Sequence, residues 1–487
     1  MQSILKSSFL TLAAFLCLAD GALPAPGQSV PNAPNPTNLP ASTSFKLDQY
    51  MASVPEGKAT GQVLQLSFQD AMDRALRNNL GLLIQSDNTL YARGEKWKEL
   101  SNLLPNVSAS ASQSVEQLDL AALGFRINAP GFPSVIGPVG IFQSSVNLQQ
   151  SAFDLHAYNK MRSARAEEEV AKLSYKDARE LVVLAALNAY LQAISYSASV
   201  DTSQADVDTA QALYNKAADQ QKAGVSPAID TLRAQVELQT RQQQLIAAKN
   251  NFAKQKLTLA RVIGLPSGQE FVLTDKAPYS PFTPESLEQA LQRAYTSRSD
   301  YLAAVQQLRA AQLARRAATE EHYPTLGIGG DYGAAGVNVG NSHGVFEVGA
   351  TLNIPIFAGG KTHGEVLEAE ATLRQTRQQL ENLRAQIDYD VRSTMLDLQS
   401  AAQQVEVARS SVDLANQTLT QARDRFTAGV TDNLEVVQAQ DSVASANEAY
   451  ISSLYAYNLA KVALARATGF AEQGVRLYLQ GKLPESN

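Results

Sequence analysis

YNKAADQQKAGVSPAIDTLRAQVELQTRQQQLIAAKNNFAKQKLTLARVIG, residues 214–264, and LTQARDRFTAGVTDNLEVVQAQDSVASANEAYISSLYAYNLAKVALARATG, residues 419–469, align without a gap at an offset of 205. Ala223-Gly224-Val225 falls on Ala428-Gly429-Val430, and Leu259-Ala260-Arg261 on Leu464-Ala465-Arg466. Each copy is a polar-apolar helical pattern, a short break at glycine, and a second helical run, which is one end of a helical hairpin. A stretch written twice in one chain calls for a search for a wider duplication.

The duplication extends upstream. Ala71, Arg74 and Ala75 in FQDAMDRALRNN match Ala290, Arg293 and Ala294 at an offset of 219, and Leu103-Leu104-Pro105 matches His322-Tyr323-Pro324 at the same offset. LQQSAF (148–153) answers LNIPIF (352–357) at an offset of 204, so the two copies differ mainly in one connection within 106–147 against 325–351. The sequence therefore divides into a signal peptide (1–22), a Pro/Asn-rich lead-in (23–63), a first repeat (64–282), a second repeat (283–470) and a tail (471–487).

The N-terminus carries one Lys and an apolar run from Phe9 to Ala19, the pattern of a secretory signal. The single cysteine, Cys17, follows Phe15 and Leu16 rather than small residues, which argues against lipidation. Loss of the signal leaves no cysteine, in keeping with an oxidising compartment. Charged residues are 18% and the net charge is −6, which excludes the basic face a nucleic-acid partner requires.

Within each repeat the periodicity changes twice. Ser67 with Asp70 reads as a capping box opening a short helix, and a second helix ends at Pro105. Then Val107, Ala109, Ala111 and Val115 alternate with Ser108, Ser110, Ser112 and Ser114. Phe346, Val348, Ala350, Leu352 and Ile354 alternate in the same way with Glu347, Gly349, Thr351 and Asn353. These are strands of about ten residues, polar on one face and apolar on the other, as outer-membrane barrels use. The hairpins are expected at about 105–152 and 324–356. After the signal no apolar run stands out as a membrane helix, and four strands cannot close a barrel, so a membrane reading requires several chains.

The long runs 155–222 and 361–427 contain no proline, and Gly364 is their one glycine. At 1.5 Å per residue each makes a helix of roughly 100 Å. From Leu380 to Phe426 the apolar seam advances in steps of three and four, the coiled-coil period. Returning helices are expected at about 227–264 and 432–468.

In this order and spacing the motifs LSFQDAMDRALRNN, LNIPIFAGG and the paired Ala-Gly-Val breaks resemble the TolC-like outer membrane efflux protein family, over about residues 64 to 470. In the first copy Ser151 stands where the second has Pro355, and Phe153-Asp154-Leu155 replaces Phe357-Ala358-Gly359-Gly360. The resemblance implies an α+β membrane protein: a coiled-coil tunnel plus four strands per chain in a trimeric barrel of twelve. It implies a homotrimer in outer-membrane lipid, whose tunnel crosses the periplasm to an adaptor protein and an inner-membrane pump or exporter. It also implies adaptor docking on the turns Gly224, Val225, Ser226 and Gly429, Val430, Thr431, and a pore narrowed by Asp230, Asp432 and Glu435. From the residues alone the turns need be no more than well-capped helix junctions, with Ser226 as N-cap, and the acids no more than helix-start carboxylates.

The chemistry of a catalyst is not visible. His156, His322, His343 and His363 have no metal-ligand spacing, and neither a phosphate-cradling glycine loop nor a nucleophile motif occurs. No enzyme activity, cofactor or metal is expected. The competing function class is a periplasmic coiled-coil adaptor; the duplicated alternating strands count against it.

Overall fold

The structure, a computed structural model, describes residues 47–120, 122, 124, 135–275, 279–431, 433–472 and 474. The expected signal peptide, much of the lead-in, most of the tail and Asp432 lie outside those residues.

Two series of elements run in parallel. The first is β1 (Leu64–Leu66), α1 (Phe68–Asn78), α2 (Leu80–Ser101), β2 (Asn106–Asp119), β3 (Val135–Phe153), α3 (Leu155–Lys222) and α4 (Ala228–Val262). The second is β4 (Phe271–Leu273), α5 (Leu287–Ser297), α6 (Ser299–Glu320), β5 (Thr325–Asn338), β6 (Asn341–Asn353), α7 (Lys361–Thr427) and α8 (Asn433–Ala467). Corresponding helices are 11, 22, 68 and 35 residues in the first series and 11, 22, 67 and 35 in the second.

The same local chemistry opens both series. Ser67 accepts from the Asp70 amide while its own amide donates to Asp70 Oδ2 (3.2 Å), and Ser286 with Gln289 repeats the box. Each box presents small residues to the core: Ala71 and Ala75 in α1, Ala290 and Ala294 in α5.

β1 and β4 pair in parallel, a contact between distant ends of the expected first repeat that three-residue strands do not advertise in sequence. The four longer strands form an antiparallel sheet in the order β2-β3-β5-β6, so β2 and β6 are its edges. Val146 pairs with Ala109 on one side and Tyr332 on the other, and Asp331 with Glu347, keeping the alternation in register. The strands run 13 to 19 residues, longer than the expected ten, because pairing continues through polar positions such as Glu116 and Asn338. Glycine in β5 serves close approach. A Cβ on Gly333 would lie 1.9 Å from the Ser144 carbonyl oxygen, and one on Gly336 2.1 Å from that of Asn341.

α3 packs against α2 and α6 along one half and against α4 along the other, while α7 packs on α6 and α8. Midway along α3 the main core gathers Val182, Val183, Leu187, Tyr190 and Ile194 with Leu259 and Val262 of α4, Tyr457 and Leu464 of α8, and Leu66 and Phe271. α3 holds a window apolar enough to cross a membrane by length and composition, contrary to the expectation that no such run follows the signal. Its residues are two-thirds buried (67%), so packing in the protein core accounts for that apolarity. A smaller apolar cluster near the turns joins Leu213, Ala217 and Ala234 to Leu419, Phe426, Val436 and Ala439.

Candidate functional site

Both hairpin turns are built the same way. α3 is C-capped by Ala223 and Gly224 follows at φ +73°; α7 is C-capped by Ala428 and Gly429 follows at φ +71°. The Gly224 and Val225 amides donate to the carbonyls of Gln221 (3.0 Å) and Gln220 (2.9 Å), and Gly429 and Val430 donate to Phe426 (3.2 Å) and Arg425 (3.0 Å). This crossed pair of bonds after a left-handed residue satisfies carbonyls that the helix end would leave bare. It also turns the next side chain outward: Val225 is 77% exposed and Val430 70%. Each turn thus holds an exposed apolar residue on a backbone fixed by its own bonds.

The start of α4 departs from expectation. Pro227, not Ser226, occupies the cap position, and no side chain caps it. Ser226 Oγ instead donates to Asp230 Oδ2 (2.7 Å), and Arg233 Nη1 stands 3.6 Å from Asp230 Oδ1. Proline lacks an N–H, so the first turn needs less capping and the serine hydroxyl is available to the carboxylate.

Asp230 therefore does not match a carboxylate held out to a lumen: it is 5% exposed. Across from it Asn433 Nδ2 donates to the Asp230 carbonyl oxygen (2.7 Å), tying the start of α8 to the start of α4. Glu435, its equivalent in the repeat, is half-exposed and accepts from Arg425 Nη1 (2.8 Å). Of these two carboxylates one is buried and one lies partly exposed. Thr431 is half-buried at the turn, and Asp432 lies outside the described residues.

Further contacts fasten the two hairpins side by side. Lys216 Nζ of α3 donates to Thr427 Oγ1 of α7 (2.5 Å) and lies 5.6 Å from the Phe426 ring. Arg241 of α4 donates to Glu237 (2.5 Å), to Gln244 (3.0 Å) and to Asp441 of α8. Burial pushes the Glu237 carboxyl above its ordinary range, with Arg241 opposing the shift. Sequence reasoning missed Arg241, whose repeat equivalent is Ala446; only an asymmetry search between copies would have singled it out.

It also missed a buried ionic junction beside the main core. Arg466, at the end of α8, donates to Asp177 (2.5 Å) and Glu180 (3.3 Å) of α3 and lies 3.7 Å from Asp300 of α6. Arg298 joins Asp300 (2.7 Å) to Asp390 of α7 (3.2 Å). Four carboxylates surround two guanidinium groups. Burial pushes the Glu180 carboxyl up to about 7 and raises Asp177, with Arg466 opposing both shifts.

Of the histidines, His156 Nδ1 is 2.9 Å from the Ala317 carbonyl oxygen, a structural contact between α3 and α6. Among the described residues no group of three or more His, Cys, Asp or Glu is placed to hold a metal ion.

A family profile described as outer membrane efflux protein matches residues 99–265 and 290–470. The chain is 23% identical to the alkaline protease secretion protein AprF of Pseudomonas aeruginosa over 65% of this chain and 67% of that one. It is also 23% identical to the probable efflux pump outer membrane protein TtgC of Pseudomonas putida, over 96% of each chain. Among solved structures, the Campylobacter jejuni CmeC outer membrane channel superposes with a TM-score of 0.70 at 17% identity, covering 91% of this chain and 98% of that one.

Proposed function

The chain belongs to the outer membrane efflux protein family, and on that premise we propose how its parts work. It is an outer-membrane exit duct of the efflux or type I secretion class. The sheet is its membrane portion and the long helices its periplasmic tunnel. The family forms channels and is not an enzyme family, and this chain acts as a passive conduit, the driving force coming from an inner-membrane transporter.

The observation that carries this reading is the open sheet. Among the described residues β2 and β6 are edges without a partner strand on their outer sides. In hydrocarbon, unpaired N–H and C=O groups cost several kcal/mol each, so only a closed barrel is tolerated. Phe346 and Val348 of β6 and Tyr332 of β5 stand exposed, as side chains that meet lipid do. Three chains pooling four strands each close a barrel of twelve, β6 of one chain pairing with β2 of the next. The test is the mass of the protein solubilised from the outer-membrane fraction in mild detergent. Three chains per particle is the expected result, and a soluble monomer overturns the proposal.

The turns serve as docking points. Gly224, Val225 and Ser226, with Gly429, Val430 and Thr431, present two rigid apolar knobs per chain to a periplasmic adaptor. Glu435 supplies the pore carboxylate, with Asp432 beside it in sequence, while Asp230 braces the wall from inside. Neighbouring carboxylates in a narrow mouth repel one another and draw in cations. The relatives' names span protease secretion and efflux, so the cargo is either a secreted protein or small molecules.

A further inference from the structure

Between the two hairpins, directly beyond the apolar cluster near the turns, lies a polar cavity of about 270 Å³. Asp206 and Thr209 of α3, Arg241 of α4, Asn416 of α7, and Gln440 and Asn447 of α8 line it. Leu419 and Val443 belong both to its wall and to the apolar cluster, so polar and apolar zones adjoin along the same seam.

Gln440 is the decisive residue. Its side chain is buried, with 6% of the residue exposed, yet neither Oε1 nor Nε2 has a hydrogen-bond partner among the described residues. Buried amides are nearly always paired, with protein or with ordered water. The equivalent residue in the first repeat, Gln235, is exposed. The same residue type is thus solvated in one repeat and covered by the docked hairpins in the other. Arg241 does not meet the need, being engaged with Glu237, Gln244 and Asp441.

We propose that this cavity is a built hydration site, in which a cluster of ordered waters satisfies both Gln440 amide atoms and bridges α8 to Asp206 on α3. The lining fits a dipolar occupant better than an ion. It mixes one carboxylate with amides, two hydroxyls and two guanidinium groups; Arg241 is already balanced by Glu237 and Asp441, and the exposed Arg423 is matched in charge by Asp206. At about 30 Å³ per water the space holds several. Asn416 is exposed at its edge, so the waters exchange with solvent. The hairpins are then joined in two ways: by close apolar packing and direct bonds near the turns, and by replaceable water above them. This inference stands independently of what the duct carries.

A high-resolution crystal structure of the detergent-purified protein tests it, with Gln440→Leu as the paired variant. Ordered water peaks within hydrogen-bond distance of both Gln440 amide atoms, lost in the variant, is the result expected. A protein group bonded to the amide, a neighbouring chain's side chain in the cavity, or a dry cavity overturns the proposal. Thermal unfolding gives a second reading. A hydrated amide predicts a Tm that is unchanged or lower in Gln440→Leu. A rise of several degrees means the amide was buried dry, and contradicts the proposal.

Discussion

Arg261 and Arg466 close the same Leu-Ala-Arg tripeptide at the same place in the two repeats, and they meet opposite environments. Arg261 ends α4 exposed to solvent. Arg466 ends α8 at 2% exposure, held by Asp177 and Glu180 of the other repeat. Gln235 and Gln440 part in the same way, as do Asp230 and Glu435. Duplication fixes which elements form; the packing of one repeat against the other decides what each copied side chain does.

The largest expected effect comes from breaking that contrast at the arginines. Arg466→Ala leaves Asp177 and Glu180 buried without their partner, and should cost about 3–5 kcal/mol. Arg261→Ala should stay within about 0.5 kcal/mol, as a surface change does. Denaturant midpoints of the two variants measure the difference. Equal losses would mean that the repeats are used symmetrically after all.

The same junction predicts a pH dependence. Glu180 is raised from an ordinary 4.5 to about 7. The folded state then holds a proton that the unfolded state releases, so this stability is complete below about pH 4.5 and is lost as pH rises through about 7. Its size is of order 3 kcal/mol. Glu180→Gln should flatten the stability curve across that window. A curve unchanged by the substitution would show that the carboxyl is ionised throughout.

At the turns the repeats are alike, and the prediction is correspondingly paired. Among the described residues nothing lies within 4 Å of a Cβ built on Gly224 or Gly429, so it is the positive φ that refuses Val. Each substitution should cost about 1–3 kcal/mol, which a coiled coil of this length tolerates. Gly429→Val and Gly224→Val are expected to lower export while the amount of assembled protein stays normal. Full export by the double variant would remove the turns from the docking surface.

The smallest effect separates Asp230 from Glu435. Glu435→Gln should weaken cation preference in a planar bilayer with little change in stability, since an exposed helix-start acid contributes only about 0.3–1 kcal/mol. Asp230→Asn should leave selectivity unchanged and lower the unfolding midpoint slightly, because the Ser226 bond loses its charge. The reverse pattern would put Asp230, not Glu435, at the lumen.

The elements were legible because each leaves a periodic trace. Freedom from proline marked α3 and α7, the Ser/Ala dyads marked β2, and the Ala-Gly-Val breaks marked both turns. Capping at Ser67 was readable for the same reason, since all its atoms lie within four residues. What could not be read was set by contacts far apart in the chain. β1 and β4 are three residues each, too short to show a period, and are separated by about two hundred residues. Arg466 and Asp177 are 289 apart, and Asn433 and Asp230 are 203 apart. Exact repeat matching carries no information on burial, which separates Asp230 from Glu435. The third acid, Asp432, lies outside the described residues.

Conductance tests the central claim most directly. Protein purified from the outer-membrane fraction and added to a planar lipid bilayer should insert and give discrete, cation-favouring current steps. Glu435→Gln should keep the steps and reduce the preference. A protein that leaves the bilayer silent at every voltage, while folded and stable in detergent, would contradict its reading as a duct.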